Sequence, residues 1–484
     1  MKKELLRMEH VSQESGGELL LDNLNFTIFT GEIKGMIFQN RKGRDQLIDL
    51  LCYNHPISLG RVWYDGKIVN SYSFSDNSAN KVCMIEQKSH LVEALTVVDN
   101  LFVMRKEFRK KIIHEAVLYD QARRFLNEKE IVVDIDKRVK DLTSLERCFL
   151  ELAKGLLSGC KLVIVDNPTN FLGQNELIEF QKMLRKLRKD DVSVLYIGNY
   201  HEDVFRIADR TALFYRGQVR KIFESGEMTD QNMAPYIMEW KELNRKEEKA
   251  YEHGILRFRN VHTDCLKGLS FVLNKGECLT ILDMDNRIVE DIQNLMTGKM
   301  VCKTGEIRLR NKWYDLDCAV QYLEEGIAII PEDPVESVLF LEQSYMENLT
   351  FLLDKKLKRS LIPRRIYRSI RKEYEPLVGE DLDVKNIRNL PWEKQLELVY
   401  YRMHLFHPQI LICLKPLTRG DMYCRNRILQ LMQQIQSQNT TILIVTSHLA
   451  ETLDISDRLL VVEDGVCTAE YEKNDFHRIK NRTC

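Results

Sequence analysis

Near the start of the chain apolar and polar residues alternate. Leu24, Phe26 and Ile28 are separated by Asn25 and Thr27, the pattern of a strand with one face in a core and one in water. Positions 33–38 then run almost continuously apolar and predict a buried central strand that ends in a loop. Leu47, Ile48 and Leu51 recur at helical spacing, so a helix over 45–52 is expected after that loop. A strand at 82–85 precedes a charged stretch, about 98–142, that lacks β-branched runs and reads as helical. Two β-branched apolar runs, 162–166 and 192–197, close the series on either side of a helix at 177–189.

The whole succession then comes again. Leu24, Phe26, Gly31 and Glu32 return as Leu269, Phe271, Gly276 and Glu277, 245 residues later. Asn100, Leu101, Leu142, Pro168 and the pair Asp209–Arg210 return as Asn348, Leu349, Leu390, Pro416 and Asp457–Arg458, 248 residues later. Small changes of offset fit loop insertions, so the chain is a duplicated domain. Strands alternating with helices predict an α/β fold, each copy a mainly parallel sheet with an inserted helical subdomain. The expected division is 1–241, a short charged linker at 242–254, and 255–484.

Charge adds little direction. Lys and Arg total 71 against 72 Asp and Glu, a formal net charge of −1, which gives no global electrostatic case for nucleic acid. The 12 cysteines are scattered without a CxxC pair and read as reduced thiols. No stretch approaches the ~18 apolar residues of a membrane span. The expectation is a cytoplasmic protein that does not insert in the membrane and reaches its inner face, if at all, through a partner. Lys355, Lys356, Lys358, Arg359, Arg364, Arg365, Arg368, Arg371 and Lys372 form a dense basic cluster, read first as a solvated helix face and second as a contact for anionic lipid or an acidic partner. His404 and His407 have a spacing that suits a metal but no third ligand nearby, so no metal site is expected.

Several ordered stretches resemble one family, the tandem ATP-binding cassette subunits of bacterial carbohydrate importers of the ribose, galactose and xylose kind. In the first copy 83–103 resembles the glutamine loop and the turn after it, with Gln87 at the glutamine position. Residues 141–156 resemble the signature helix, 161–172 the Walker B strand and the loop after it, and 196–210 the switch segment. In the second copy 326–351 resembles the Pro-Glu-Asp loop of the family's second cassette, and 443–465 its closing strands. The resemblance covers nearly the whole chain. It implies two P-loop NTPase-type domains, each a mixed sheet with an antiparallel β subdomain and an inserted α-helical subdomain, and it implies ATP and Mg²⁺ as cofactors.

The chemistry departs from that pattern. A phosphate loop needs glycines that let successive N–H groups curl around phosphates, a Lys, and a hydroxyl for Mg²⁺. In the first copy Gly43 survives between Asn40, Lys42 and Arg44, but Phe38 and Arg41 replace glycines, Arg44 replaces the Lys, and Asp45 replaces the hydroxyl. Side chains at left-handed positions are expected to strain this loop. The second loop, 283–291, has no glycine and no lysine, and sets Asp283, Asp285, Glu290 and Asp291 against Arg287. Asp166 keeps the metal-side position of the first copy, but Asn167 replaces the catalytic glutamate and Asn199 the switch histidine, with His201 two residues late. The second copy has Leu414 and Lys415 at the acidic pair and Ser447 at the switch, with His448 one late. Both signatures, 142–146 and 390–394, are altered, and Pro391 stands where a serine and helix start belong.

These residues predict a pseudo-ATPase, a double cassette kept for docking or regulation, with a permease-like membrane subunit or another cassette subunit as partner and no cofactor bound. The alternative is a working importer subunit that binds ATP at its first site through Arg44, Gln87 and Asp166. Translation-associated tandem cassettes share the layout but carry a long basic linker that 242–254 is too short to match. Docking predicts exposed apolar residues within 91–103, Leu95 and Val97 among them.

Overall fold

The computed structural model describes residues 3–77, 80–102, 115–237, 254–357, 363–418, 420–448, 452–476 and 478. Lys358, Arg359, Val103 and the expected linker, Gly254 excepted, lie outside the described residues. The chain divides into two compact units, Met1–Met238 with Asp421–Tyr423, and Glu239–Gly420 with Cys424–Cys484.

In chain order the strands of the first unit are β1 (Glu4–Ser15), β2 (Glu18–Phe29), β3 (Ile33–Phe38), β4 (Leu59–Tyr64), β5 (Lys67–Ser71), β6 (Phe74–Ser75), β7 (Val82–Ile85), β8 (Leu162–Asp166), β9 (Ser193–Ile197), β10 (Arg210–Tyr215) and β11 (Gln218–Phe223). An antiparallel sheet runs β2-β1-β4-β5-β6, and a mixed sheet runs β11-β10-β3-β9-β8-β7 with only the β10–β11 pair antiparallel.

The second unit continues with β12 (Gly254–His262), β13 (Lys267–Asn274), β14 (Cys278–Asp283), β15 (Thr304–Leu309), β16 (Lys312–Trp313), β17 (Ile327–Ile330), β18 (Ile410–Leu414), β19 (Thr441–Thr446), β20 (Arg458–Glu463) and β21 (Val466–Glu472). Its mixed sheet is β17-β18-β19-β14-β20-β21, the same topology, beside an antiparallel β13-β12-β15-β16 sheet. The mixed α/β architecture expected for each copy is therefore the one observed.

Each mixed sheet separates two cores, and alternation along its strands assigns residues to them. In β8 Leu162 and Ile164 join Phe26, Met36 and Leu51 under the antiparallel sheet, while Val163 and Val165 join Phe149 and Phe180 under the helices. In β18 Ile410 and Ile412 face one core, Leu411 and Cys413 the other.

The helical subdomains contain Val97–Phe102, Glu115–Glu128 and Ser144–Leu157 in the first unit, and Tyr345–Thr350, Arg364–Val378 and Trp392–Phe406 in the second. No helix among the described residues is long and apolar enough to cross a membrane.

Several polar networks recur residue for residue. Glu32 accepts from the Phe29 amide at 2.7 Å and from Arg210 Nε at 2.8 Å, while Asp209 accepts from the Ile33 amide at 2.9 Å. Glu277, Arg458 and Asp457 repeat this with the Asn274 and Cys278 amides at 2.7, 2.7 and 2.8 Å. Asn100 bridges the backbone of Val92 and Thr96, as Asn348 bridges that of Phe340 and Ser344. Each buried polar group satisfies the backbone of a turn that has no other regular partner, which explains why both copies keep it.

Candidate nucleotide sites

The first loop joins β3 to the helix Arg44–Tyr53. Gly43, at φ 80°, is its left-handed residue, and a Cβ there would lie 2.3 Å from the Leu20 carbonyl oxygen. Neither Phe38 nor Arg41 has positive φ, so the strain expected at those positions is absent. The loop takes a different path: the Arg44 amide bonds back to the Arg41 carbonyl at 3.0 Å, and Phe38 is a core residue packed on Phe214 at 4.9 Å between ring centres.

The charges of this loop are engaged within the unit. Arg44 Nη2 lies 2.6 and 2.5 Å from the two carboxylate oxygens of Asp166, and Nη1 lies 2.8 Å from Asp45. Burial would lower the Arg44 pKa, but Asp166 and then Asp45 outweigh it and the pKa is raised. Lys42 pairs with Glu18 at 2.7 Å, and Asn40 Oδ1 accepts from the Arg216 amide at 3.1 Å. Asp166 thus serves as an anchor for Arg44. Asn167, in a left-handed turn at φ 45°, donates to Asp166 at 2.8 Å, and its own buried Oδ1 has no partner among the described residues. An amide there cannot take a proton from water.

Asn199 sits half-buried just beyond β9, and His201 heads the next helix bonded to Asp230 at 3.0 Å. Gln87 is exposed in the turn after β7. Glu151, on the helix Ser144–Leu157, holds that turn by accepting from Ser89 and from the His90 amide, both at 2.8 Å. Burial raises its pKa, and these two bonds oppose the shift.

The second loop follows β14 without a glycine, and Asn286 supplies the left-handed residue at φ 57°. Its carboxylates are used as acceptors within the unit. Asp283, 1% exposed, accepts from the Ile288 amide at 2.8 Å and from the amides of Arg287 and Asp285. Burial raises its pKa, opposed by those amides and by the charge of Lys415. Asp285 accepts from the Asp464 amide at 2.5 Å, and Asp291 accepts from Thr263 Oγ1 and the Cys265 amide. Glu290 is exposed.

Lys415 takes the backbone turn of Asn167, with φ 44° and an amide bond to Val445 where Asn167 bonds Ile197. Its amine, 7% exposed, pairs with Glu332 at 3.2 Å. Ser447 is buried at the end of β19.

The groups at both loops are already bonded within the chain. In the second unit the loop amides already hold a carboxylate, and a cation stands where a metal ligand is needed. In the first, the metal-side carboxylate is consumed by Arg44.

The signature segments are closed in a similar manner. Thr143 caps the helix Ser144–Leu157 by accepting from the Glu146 amide at 3.2 Å, and Glu146 reaches back to the Thr143 amide at 2.8 Å. Pro391 stands at the cap of Trp392–Phe406 with no side-chain bond, and the helix forms without one.

The docking stretch needs correction. Val97 is 0% exposed and belongs to the helical core, because the segment around it is the first turn of a helix and not a surface loop. Leu95 is half-buried and Val92 is exposed, beside a groove lined by Met84, His90, Leu91, Glu151 and Lys154.

Sequence reasoning missed the corresponding apolar feature of the second unit. Phe340 and Phe351, 46% and 49% exposed, pair at 4.5 Å between ring centres, and buried Arg402 lies under Phe351. Their spacing in the sequence carries no periodic signal. His404 bonds Tyr374 at 2.7 Å and His407 bonds the Gln438 carbonyl, so both histidines serve the helix packing.

The family model described as ABC transporter matches residues 21–170. The ribose import ATP-binding protein RbsA of Caldanaerobacter subterraneus subsp. tengcongensis is 26% identical over 493 residues, with 97% of each chain covered. The xylose import ATP-binding protein XylG of Geobacillus kaustophilus is 26% identical over 502 residues, covering 100% of this chain and 99% of that one. Among solved structures, one described as RNase-L Inhibitor aligns with a TM-score of 0.62 at 15% identity, covering 94% of this chain and 88% of that chain. At that identity the likeness concerns the fold alone. The chain has the mixed α/β fold of two tandem ATP-binding cassettes and is similar along its length to import ATP-binding proteins of the ribose and xylose kind.

Proposed function

We propose that this chain is a carbohydrate-importer cassette subunit that has lost ATP hydrolysis and is kept as a cytoplasmic docking or regulatory subunit. Its partner is a permease-like membrane subunit or another cassette subunit, as the import function printed for the relatives suggests. One observation carries the reading: groups that would face phosphate or metal are bonded within the chain. Arg44 is held by Asp166, the Asp283 carboxylate accepts the second loop's amides, and Lys415 is held by Glu332. A ligand would have to break buried ion pairs before gaining any contact of its own, a cost of about 3–5 kcal/mol for each pair that loses a partner.

The competing reading is a subunit that binds ATP at its first site and energises sugar import. Similarity over the full length to import ATP-binding proteins favours it.

A thermal-shift titration separates the two. A site with a Kd of ~100 μM would add about 1.4 kcal/mol at ~1 mM ATP–Mg²⁺, so the proposal expects a shift below about one degree and no phosphate release above the buffer rate. A shift of several degrees, or turnover that disappears in Asp166→Ala, overturns it. As a positive control, Arg41→Gly, Arg44→Lys and Asp45→Ser reopen the first loop while Phe38 stays in its core.

A further inference from the structure

The strongest charge asymmetry of the molecule lies away from both sites. Between 355 and 372 the sequence has nine Lys or Arg residues and no Asp or Glu, in a chain whose formal net charge is −1. The helix Arg364–Val378 carries five of these nine. It buries Ile370 and Tyr374 against the helical core, which fixes its orientation and turns Arg364, Arg365, Arg368 and Lys372 outward. None of these four has an ion-pair partner among the described residues, whereas Arg371 on the same helix is tied to Asp383 at 2.7 Å. The acidic residues of the helix, Glu373 and Glu375, fall in its C-terminal half.

The placement also opposes the helix. Arg364 and Arg365 stand in the first turn, where the peptide dipoles already present positive charge, and Pro363 provides no side-chain cap. Stability alone would put acidic residues here. The first copy has the same bias in its sequence: 105–111, which falls on 353–359 under the 248-residue offset, has five basic residues in seven. That segment lies outside the described residues and enters here as sequence only. The part of the run at 353–359 thus has a basic counterpart in the first copy. The helix that follows there, Glu115–Glu128, begins with Glu115, Ala116 and Val117 and does not repeat the basic face of Arg364–Val378.

We propose that the outward face of the helix Arg364–Val378 is an electrostatic contact for a membrane surface rich in anionic lipid headgroups. The basic side chains span about 12 Å of helix at 1.5 Å per residue and form an open array without a receptacle, which suits smeared negative charge rather than one bound group. A nucleic acid would need a longer basic footprint than a balanced chain supplies. The inference rests on the membrane-bound partner proposed above, since only there would this face meet lipid.

The test uses the purified full chain with protein-free vesicles of phosphatidylcholine, with and without about 30% phosphatidylglycerol. Co-sedimentation is expected with the anionic vesicles only, and it falls when salt rises from ~0.1 to ~0.5 M. Arg364→Glu, Arg365→Glu and Arg368→Glu together lower the partition coefficient at least ~10-fold with a melting temperature no lower than the original, while the triple change to Lys leaves the partition coefficient near the original value. Equal binding to neutral vesicles, retention by the Glu variant, or loss in the Lys variant overturns the proposal. Equally tight binding of a short DNA duplex that competes with the vesicles overturns the choice of lipid. No permease or nucleotide is present, so failure here leaves the pseudo-ATPase reading intact, and ATP turnover would refute that reading without touching this one.

Discussion

Glu32 with Arg210 and Glu277 with Arg458 are one structure built twice, down to the amides that complete each carboxylate. The two phosphate loops, which begin a few residues later, share almost nothing. The first is closed by an Arg reaching across to Asp166, the second by an Asp folding back onto its own amides. The Glu–Arg pairs hold a turn to a central strand, so any change costs folding free energy in either copy. The loop residues differ between the copies, and what both loops meet is the requirement that buried amides and charges find partners. That requirement has many solutions, and each copy has found its own.

The largest expected effect tests the shared part. Arg458→Met leaves Glu277, 2% exposed, without its cation and is expected to cost about 3–5 kcal/mol in urea unfolding; Arg210→Met should cost the same within about 1 kcal/mol. A clear inequality would mean that the two networks are alike in geometry but not in energy.

Next in size is a position where the copies differ inside the core. Lys34, 1% exposed, corresponds to Leu279, and burial lowers its pKa from 10.5 to about 8, partly offset by Glu32. The unfolded chain therefore holds more protons than the folded one between those values, so the stability due to this group rises with pH across that window. Lys34→Leu is expected to stabilise the protein at pH 7 by up to about 3 kcal/mol and to remove that rise. Unfolding midpoints at pH 7 and pH 10 check both effects, and a variant with the original pH profile would contradict the buried-amine account.

How much of this was legible in the sequence follows from what kind of signal each feature leaves. The strand at 82–85 and both loops could be placed because alternation and a constant offset are local patterns. The bonds of Asp283 could not: a carboxylate in a phosphate loop reads as repulsion until the backbone shows it turned onto the loop's own amides. The strain expected at Phe38 and Arg41 failed for the converse reason, since the loop changed path where the residues changed. Val97 was misplaced because a six-residue helix, Val97–Phe102, is too short for periodicity to distinguish from a surface turn.

Smaller effects sharpen the contrast between the sites. Asp283→Ala frees three amides and should cost about 1–3 kcal/mol. Added inorganic phosphate at ~10 mM should recover part of the lost melting temperature in that variant and none in the original. If phosphate has no effect on the variant, the loop is no anion cradle.

The smallest concerns the signature helices. Thr143→Ala should cost about 1 kcal/mol by removing a cap, whereas Pro391→Ser should gain up to about 1 kcal/mol by supplying one. Denaturant midpoints resolve both, and a loss on Pro391→Ser would mean that the proline's fixed φ matters more than the missing cap.

The Asp283 contact has one more consequence, for positions 283 and 415. Returning a glycine at 283 alone strips the loop amides of their acceptor, and returning an acid at 415 alone sets a third carboxylate beside Asp283 and Glu332. Each reversal is unfavourable unless the other accompanies it, as expected for residues that share one network. Either change made alone is therefore expected to lower stability, which ties positions 283 and 415 to one another.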